Sequence, residues 1–314
     1  MPKKLENIKN LSHSEWLEMR KRGIGGSDAA TCVNMNPYSG LLTLYSRKVG
    51  LSSEATDNEA MRLGRDLEQY VADRFMESSG KKVVNDNYFY IDDEYDFLFA
   101  NIDRRVVGEN AGFEAKTMGS FNGYNIEAGE IPSHYYCQCQ HYCSVMNWDR
   151  IYIGFLVLQR GFYWHCIERD DDFIRTLRSA EVDFWQNYVV PRRMPSPDGG
   201  EADISTLKEL YPEARRDSEI HISGLDSLVK DYKAFSDLAK DYEEKKERVK
   251  SQICARLGTA EVGLGDEVGV SWNNQSKMSI DEKRLKAEKP ELYREYSKVS
   301  NYRVFRTKKI GGKK

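Results

Sequence analysis

Ala100-Asn101-Ile102-Asp103, a turn, and then Gly112-Phe113-Glu114-Ala115-Lys116 is the stretch that decides how this chain is read. The apolar run Phe97-Leu98-Phe99-Ala100 predicts a strand that Asp103 closes, and the second segment predicts another, with Glu114 and Lys116 two positions apart. Strand side chains alternate faces, so Glu114 and Lys116 point one way while Phe113 and Ala115 point into the opposite layer. One face is chemical and the other is packing. Two carboxylates side by side at adjacent strand ends repel unless a cation lies between them, and hard oxygen ligands suit Mg²⁺ or Mn²⁺. Lys116 could polarise an attacking water or steady the charge developing on a phosphate, as metal-assisted phosphodiester hydrolysis requires. A surface hairpin with an ordinary cross-strand ion pair fits the same triplet, so the rest of the chain has to decide.

At 314 residues, 40% hydrophobic and 31% charged, the chain can bury one large core and carry an appended domain. The formal net charge is −3, so a nucleic-acid partner would have to meet a local basic surface. No apolar run approaches the roughly 20 residues that span a bilayer, and Met1-Pro2-Lys3-Lys4-Leu5 lacks a signal peptide's apolar core. The expectation is a cytoplasmic protein with no membrane partner, whose six cysteines are reduced thiols.

Upstream of the decisive stretch, Ser12-His13-Ser14-Glu15 predicts a helix start leading into Trp16-Leu17-Glu18-Met19-Arg20, which Gly23-Ile24-Gly25-Gly26-Ser27-Asp28 breaks. These glycines allow close backbone approach to a ligand, and Ser27 could cap the next helix or bond a phosphate. Between Asn58 and Gly80, Leu63, Leu67, Val71 and Phe75 mark an amphipathic helix, with Glu68 at the edge of the apolar stripe, where a carboxylate needs a partner or a metal. Val83-Val84 and Tyr88-Phe89-Tyr90-Ile91 predict strands, so the region reads as a mixed α/β sheet with helices packed on it.

Downstream, Pro132 predicts the first turn of a helix that carries Tyr135, Gln138, Tyr142 and Val145 on one side; Gln138 is either a core-edge amide or a reach into the cleft. Ile151–Leu158 and Phe162–Ile167 predict a hairpin, and Phe173 to Trp185 a further helix. The composition changes to Pro-Arg-Arg-Met-Pro-Ser-Pro-Asp-Gly-Gly over 191–200, which predicts a linker between a domain at 1–190 and an extension at 201–314. Within that extension, a three-and-four spacing from Leu225 to Ile253 predicts a long coiled-coil-like helix ending near Gly258, suited to intramolecular packing or to partner binding and oligomerisation. Thr259 to Trp272 predicts a hairpin, Asp281 to Tyr296 a helix, and Tyr302 to Phe305 a strand. The tail carries Arg303, Arg306, Lys308, Lys309, Lys313 and Lys314 with no acid.

His134, Cys137, Cys139, His141 and Cys143 cluster on the Pro132 helix. Cys139 and Cys143 share a face there, but Cys137 lies about 200° from Cys139, so one metal could not collect all three. Buried inert thiols are the expectation, rather than an iron–sulfur cluster completed by Cys32.

Taken together, these motifs resemble the lambda-exonuclease or YqaJ viral recombinase branch of the PD-(D/E)xK nucleases over roughly residues 12 to 190. The elements come in family order: Trp16-Leu17-Glu18-Met19-Arg20 with Gly25-Gly26-Ser27-Asp28, Gly64-Arg65-Asp66-Leu67-Glu68, Asn101-Ile102-Asp103, Glu114-Ala115-Lys116, and Tyr135-Tyr136-Cys137-Gln138-Cys139-Gln140. The resemblance implies a restriction-endonuclease-like mixed central sheet flanked by helices. It implies a Mg²⁺ site (Mn²⁺ able to substitute) at Asp103, Glu114, the Ala115 carbonyl and Glu68, with Lys116 and Gln138 catalytic and Arg20 and Ser27 on a terminal 5′-phosphate. It implies two-metal hydrolysis that digests one strand of linear duplex DNA 5′ to 3′, leaving 3′ overhangs for a single-strand annealing protein. A structure-dependent endonuclease on the same site, or a non-catalytic DNA-binding module, is the alternative. Ile102 stands where the family pattern has Pro, at a position that supplies backbone shape and no ligand. The chain after Pro191 is longer than in the compact phage exonuclease, so that relative's ring-shaped trimer is not carried over and homo-oligomerisation stays open.

Overall fold

In the computed structural model, residues 2–52, 58–120, 123–299 and 302–308 are described. The chain opens with β1 (Lys3–Asn7), a strand in a polar segment that carries no strand signal, and then α1 (His13–Lys21), where Ser12 and Glu15 cap each other reciprocally. After the glycine turn come α2 (Gly26–Cys32) and α3 (Leu41–Lys48). The amphipathic stripe forms α4 (Glu59–Ser79), capped by Asn58 and stopped at Gly80, whose φ of 70° is the left-handed conformation that glycine tolerates.

Five strands follow: β2 (Val83–Asn85), β3 (Tyr88–Ile91), β4 (Phe99–Asn101), β5 (Arg104–Val106) and β6 (Ala111–Met118). Helix α5 (Ser133–Met146) leads into the hairpin β7 (Arg150–Val157) and β8 (Gly161–Glu168), then α6 (Asp171–Phe184) and α7 (Glu201–Leu210). The main sheet is five-stranded, in the order β2-β5-β6-β7-β8, and is mixed because β6 and β7 run parallel while their neighbours are antiparallel. Strands β1, β3 and β4 form a second, three-stranded antiparallel sheet. A βα-helix-β crossover through α5 supplies the parallel pair, as parallel strands require.

The alternation expected for β6 holds. Phe113 packs towards α4, its ring 4.4 Å from that of Phe75, in a cluster with Val71, Ala72, Val106 and Tyr152. Each enclosed Phe is worth about 1.5–3 kcal/mol by burial. On the opposite face, α5 covers Ile151, Ile153 and Phe155, and α6 packs in turn on α5 and α2. Gly112 also faces that side, where a Cβ would lie 2.1 Å from the Trp148 ring. Only hydrogen fits between this strand and Trp148.

Several expectations change. Asp103 does not end the strand that carries Phe99; it sits in the bend between β4, which belongs to the smaller sheet, and β5, which pairs with β6. The division between compact units falls after Pro212, not within 191–200. Helix α7 belongs to the first unit because the wholly buried Asp203 accepts from the Thr43 backbone N (3.0 Å) and hydroxyl (2.8 Å) at the start of α3. The second unit holds α8 (Leu225–Leu257), the hairpin β9 (Val262–Leu264) and β10 (Gly269–Ser271), α9 (Glu282–Glu288) and α10 (Pro290–Glu295). The single helix expected over Asp281 to Tyr296 is two, because Pro290 has no N–H to continue α9. Residues 302–308 form no strand, and Lys309, Lys313 and Lys314 of the basic tail lie outside the described residues.

Asp203 makes the choice of truncation point testable. A chain ending at Pro212 should melt like the first unit of the whole protein. One ending at Gly200 loses Asp203 and should be less stable by about 1.5–3 kcal/mol, the worth of a charged hydrogen-bond set, as read by urea denaturation.

Candidate active site

The bend before β5 and the middle of β6 bring the half-buried Asp103 beside the buried Glu114. Asp103 Oδ2 accepts from the Ala115 backbone N at 2.9 Å, which ties the bend to the strand. Glu114 is 3% exposed, and its Oε1 accepts from Lys116 Nζ (2.6 Å) and from Gln138 Nε2 on α5 (2.7 Å). Its Oε2 is buried with no hydrogen-bond partner among the described residues. An unpartnered carboxylate oxygen is costly in a protein interior, which marks the place where an external ligand fits.

The charges confirm that the cluster is short of positive charge. Burial pushes the Asp103 carboxyl well above the usual range, and the Glu114 and Glu68 carboxylates push it further. Burial opposes the Lys116 ammonium, but Glu114 and Asp103 outweigh it and hold its pKa above the ordinary lysine value. Among the described residues, no three His, Cys, Asp or Glu side chains form a cage for a metal ion. Two carboxylates and the Ala115 carbonyl nevertheless match the habit of Mg²⁺, which keeps several waters and takes one or two carboxylates plus substrate phosphates.

Glu68 is placed differently from the other candidates. Its Oε1 accepts from Arg104 Nη1 at 2.5 Å, and that guanidinium also donates to the Asp103 carbonyl at 2.9 Å. Glu68 therefore neighbours the cluster, close enough to raise Asp103, while its carboxylate is committed to an arginine.

Arg20 and Ser27 meet as expected: Arg20 Nη2 donates to Ser27 Oγ at 2.9 Å. Ser27 does not cap α2, whose cap position is Gly25; instead Asp28 Oδ2 accepts from the Gly25 N at 3.0 Å. Both residues line a cavity of about 160 Å³ that also reaches Asp103, Glu114 and Gln138. The two candidate sites are thus two ends of one cleft.

Residues 15–149 match the profile of the YqaJ-like viral recombinase domain. The uncharacterized protein YqaJ of Bacillus subtilis (strain 168) is 32% identical over 304 residues, covering 96% of this chain and 95% of that protein. The chain belongs to the YqaJ-like viral recombinase family. Among solved structures, the alkaline exonuclease LHK-Exo from Laribacter hongkongensis is similar over 57% of this chain and 94% of its own, at 18% identity and a TM-score of 0.48. The phage related exonuclease from Haemophilus somnus 129PT is similar over 54% and 96%, at 14% identity and a TM-score of 0.45.

Three residues around the cleft have roles that the sequence did not assign. Tyr142 accepts from Gln138 Nε2 (3.1 Å) and donates to the Asn101 carbonyl (2.9 Å), so it holds both the glutamine and the strand before Asp103. A Cβ on Gly26 would lie 2.6 Å from the Tyr142 ring, which explains why glycine stands there. Helical spacing put Tyr142 on the Gln138 side of α5, and that was the available signal. Lys48, buried on α3, donates to Asp28 Oδ2 (2.6 Å) and to the Arg20 carbonyl (2.8 Å). Although burial works against the Asp28 charge, Lys48 and Arg20 hold its carboxyl below the usual range. Arg104, the third, binds Glu68 as described. The thiols of Cys139, Cys143 and Cys137 are pushed up by burial, the last to about 11.

Because the folded Asp103 pKa lies above its unfolded value, its contribution to stability is complete below the unfolded pKa and is lost as pH rises through the folded one. In chelator at neutral pH, Asp103→Asn should therefore raise the melting temperature. It should also abolish the further rise that Mg²⁺ gives the wild type. A lower melting temperature in chelator would show that the carboxylate is not strained.

Proposed function

We propose that this chain is a metal-dependent deoxyribonuclease that digests one strand of linear duplex DNA from a 5′ end, with Mg²⁺ as the working ion and Mn²⁺ able to replace it. The observation that supports this reading most is the buried Glu114 carboxylate, with one oxygen held by Lys116 and Gln138 and the other without a partner, beside the charge-strained Asp103. Asp103, Glu114 and the Ala115 carbonyl are the groups that would hold the ion. When bound, it supplies Lewis-acid chemistry, lowering the pKa of water and neutralising charge on the phosphoryl and leaving oxygens.

The protein's own groups supply the rest. Lys116, kept protonated by its carboxylate neighbours, steadies the charge that develops on the phosphate. Gln138 fixes one oxygen of Glu114, which leaves the other free and aimed. Glu68 acts from behind by fixing Arg104 against the Asp103 backbone, or turns from Arg104 towards the ion when DNA binds. At the far end of the cleft, Arg20 offers a guanidinium fork and Ser27 a hydroxyl, an arrangement suited to a terminal 5′-phosphate. Membership of a viral recombinase family supports a role in which the 3′ overhang is passed to a single-strand annealing protein. Residues 201–314 would then serve partner binding or assembly.

Digestion of end-labelled linear duplex should require Mg²⁺ and leave covalently closed circles intact. Asp103→Asn and Glu114→Gln should each be inactive, and Lys116→Ala inactive although Mg²⁺ still raises its melting temperature. Cutting of closed circles would move the reading to an endonuclease; DNA binding without any hydrolysis would make it a binding module.

The anchor has a separate test. A 5′-phosphate duplex should be digested faster than its 5′-hydroxyl twin by on the order of 10- to 100-fold, the equivalent of about 1.5–3 kcal/mol for a charged hydrogen bond. Arg20→Ala should remove most of that difference. Equal wild-type rates on the two ends would exclude an end-phosphate anchor.

A further inference from the structure

No described residue of the second unit is buried, and its 33-residue helix α8 has none either. A helix of that length owes its stability to packing of an apolar face, so a partner surface is missing. The apolar residues alternate by three and four along the helix, interrupted at Lys246. Leu225, Tyr232, Ala239, Lys246 and Ile253 recur every seventh residue, and Leu228, Phe235, Tyr242 and Val249 do so three positions later. That period of 3.5 is the signature of a seam that a second helix fills.

We propose that α8 pairs with the α8 of a second copy of this chain as an antiparallel two-helix coiled coil. This rests on the second unit alone and is independent of the nuclease reading. The order of side chains decides the direction. A parallel pair in register would bury Lys246 against the Lys246 of the other copy and set Lys245 facing its Lys250. An antiparallel pair with its two-fold axis between residues 240 and 241 sets Ala239 opposite Tyr242, small against large. It also sets the aliphatic stem of Lys246 over Phe235, Tyr232 against Val249 and Leu228 against Ile253. Glu243 pairs the Lys246 ammonium at 2.6 Å on the same helix, so the charge stays at the rim while the stem is covered.

The helix also carries a receptor for the far end of its mate. Val249, Ile253 and Leu257 form, with Val270 and Trp272 of and after β10, an apolar groove of about 560 Å³. The antiparallel register brings Leu228 and Tyr232 of the second copy to this groove. Tyr232 now makes only an edge contact with Phe305 and is 51% exposed, while Phe235 and Tyr242 are 69% and 67% exposed. Enclosing what these three aromatics still expose on both copies would remove on the order of 560–940 Å² from water. That is roughly a third to a little over half of the ~1,600 Å² of a standard interface, before any aliphatic residue of the seam is counted. A twofold pairing is also closed, so it ends at two copies.

Light scattering on the full chain at micromolar concentration should give twice the mass of one chain. Phe235→Glu should give the mass of one chain, and Lys246→Leu, which replaces a charge in the seam, should tighten the dimer on the order of tenfold. In a Cys254→Ser background, chains carrying Leu228→Cys should cross-link to chains carrying Ile253→Cys only when the two are mixed. A wild-type monomer or trimer, or a dimer whose dissociation constant Lys246→Leu does not lower, overturns the proposal. Self-cross-linking of Leu228→Cys overturns the antiparallel direction. If Phe235→Glu proves unfolded by circular dichroism, the Lys246→Leu and cross-linking results decide.

Discussion

Holding Asp103 and Glu114 against one another is the constraint that the rest of the first unit accommodates. Two carboxylates brought together are tolerated only where the surrounding groups limit the cost, and here strand β6 and helix α5 contribute such groups. Strand β6 places Lys116 on the same face as Glu114 and offers the Ala115 N–H to Asp103. Helix α5 adds Gln138, and Tyr142 one turn later holds that glutamine and the chain before Asp103 at once. Compensation stops one oxygen short, at Glu114 Oε2. A fold selected for stability alone would have filled that place with an apolar side chain.

The same logic of opposed charges governs the other end of the cleft. Asp28 lies beside Arg20 at 3.6 Å and would repel an incoming anion if it stood alone. Lys48 bonds its Oδ2, and the Gly25 N–H bonds the same oxygen, so much of the negative charge is absorbed before it reaches the cavity. Arg20 is left oriented rather than neutralised, with Ser27 as its nearest hydroxyl. Asp28 is therefore a holder of the arginine and not a competitor of the ligand. Had Lys48 been absent, the Arg20–Asp28 pair would have been closer to a closed salt bridge.

Much of this was legible in the sequence because it depends on local periods. The alternation of Phe113, Glu114, Ala115 and Lys116 assigns faces, and the helical spacing of Gln138 and Tyr142 puts both on one side of α5. Pairings over long separations were not legible from spacing. Nothing local says that Arg104, adjacent to Asp103, takes Glu68, or that Asp203 reaches back to Thr43 across a Pro- and Gly-rich segment. The boundary was misplaced for that reason: composition marks where the chain cannot form helix or strand, and not which side of the gap a later helix packs on. β1 was missed because an edge strand with one mostly exposed face carries little apolar signal.

The two units differ in how completely they satisfy themselves. In the first, the apolar clusters on both faces of the sheet are enclosed, and among its buried polar atoms without a partner in the described residues (the Ser39, Ser46 and Ser52 hydroxyls and Glu114 Oε2) the carboxylate oxygen alone belongs to an acidic group. In the second, the apolar residues of α8 stand in a regular seam with none enclosed among the described residues. An unsatisfied carboxylate oxygen on the wall of a narrow cleft would suit a small hard ion, which binds carboxylate oxygens directly. An unsatisfied stripe about fifty ångströms long, at 1.5 Å per residue, calls for another helix, because only a rod of matching period covers it. The incomplete parts of this molecule thus differ in kind: one is a demand for charge at a point, the other a demand for apolar surface along a line.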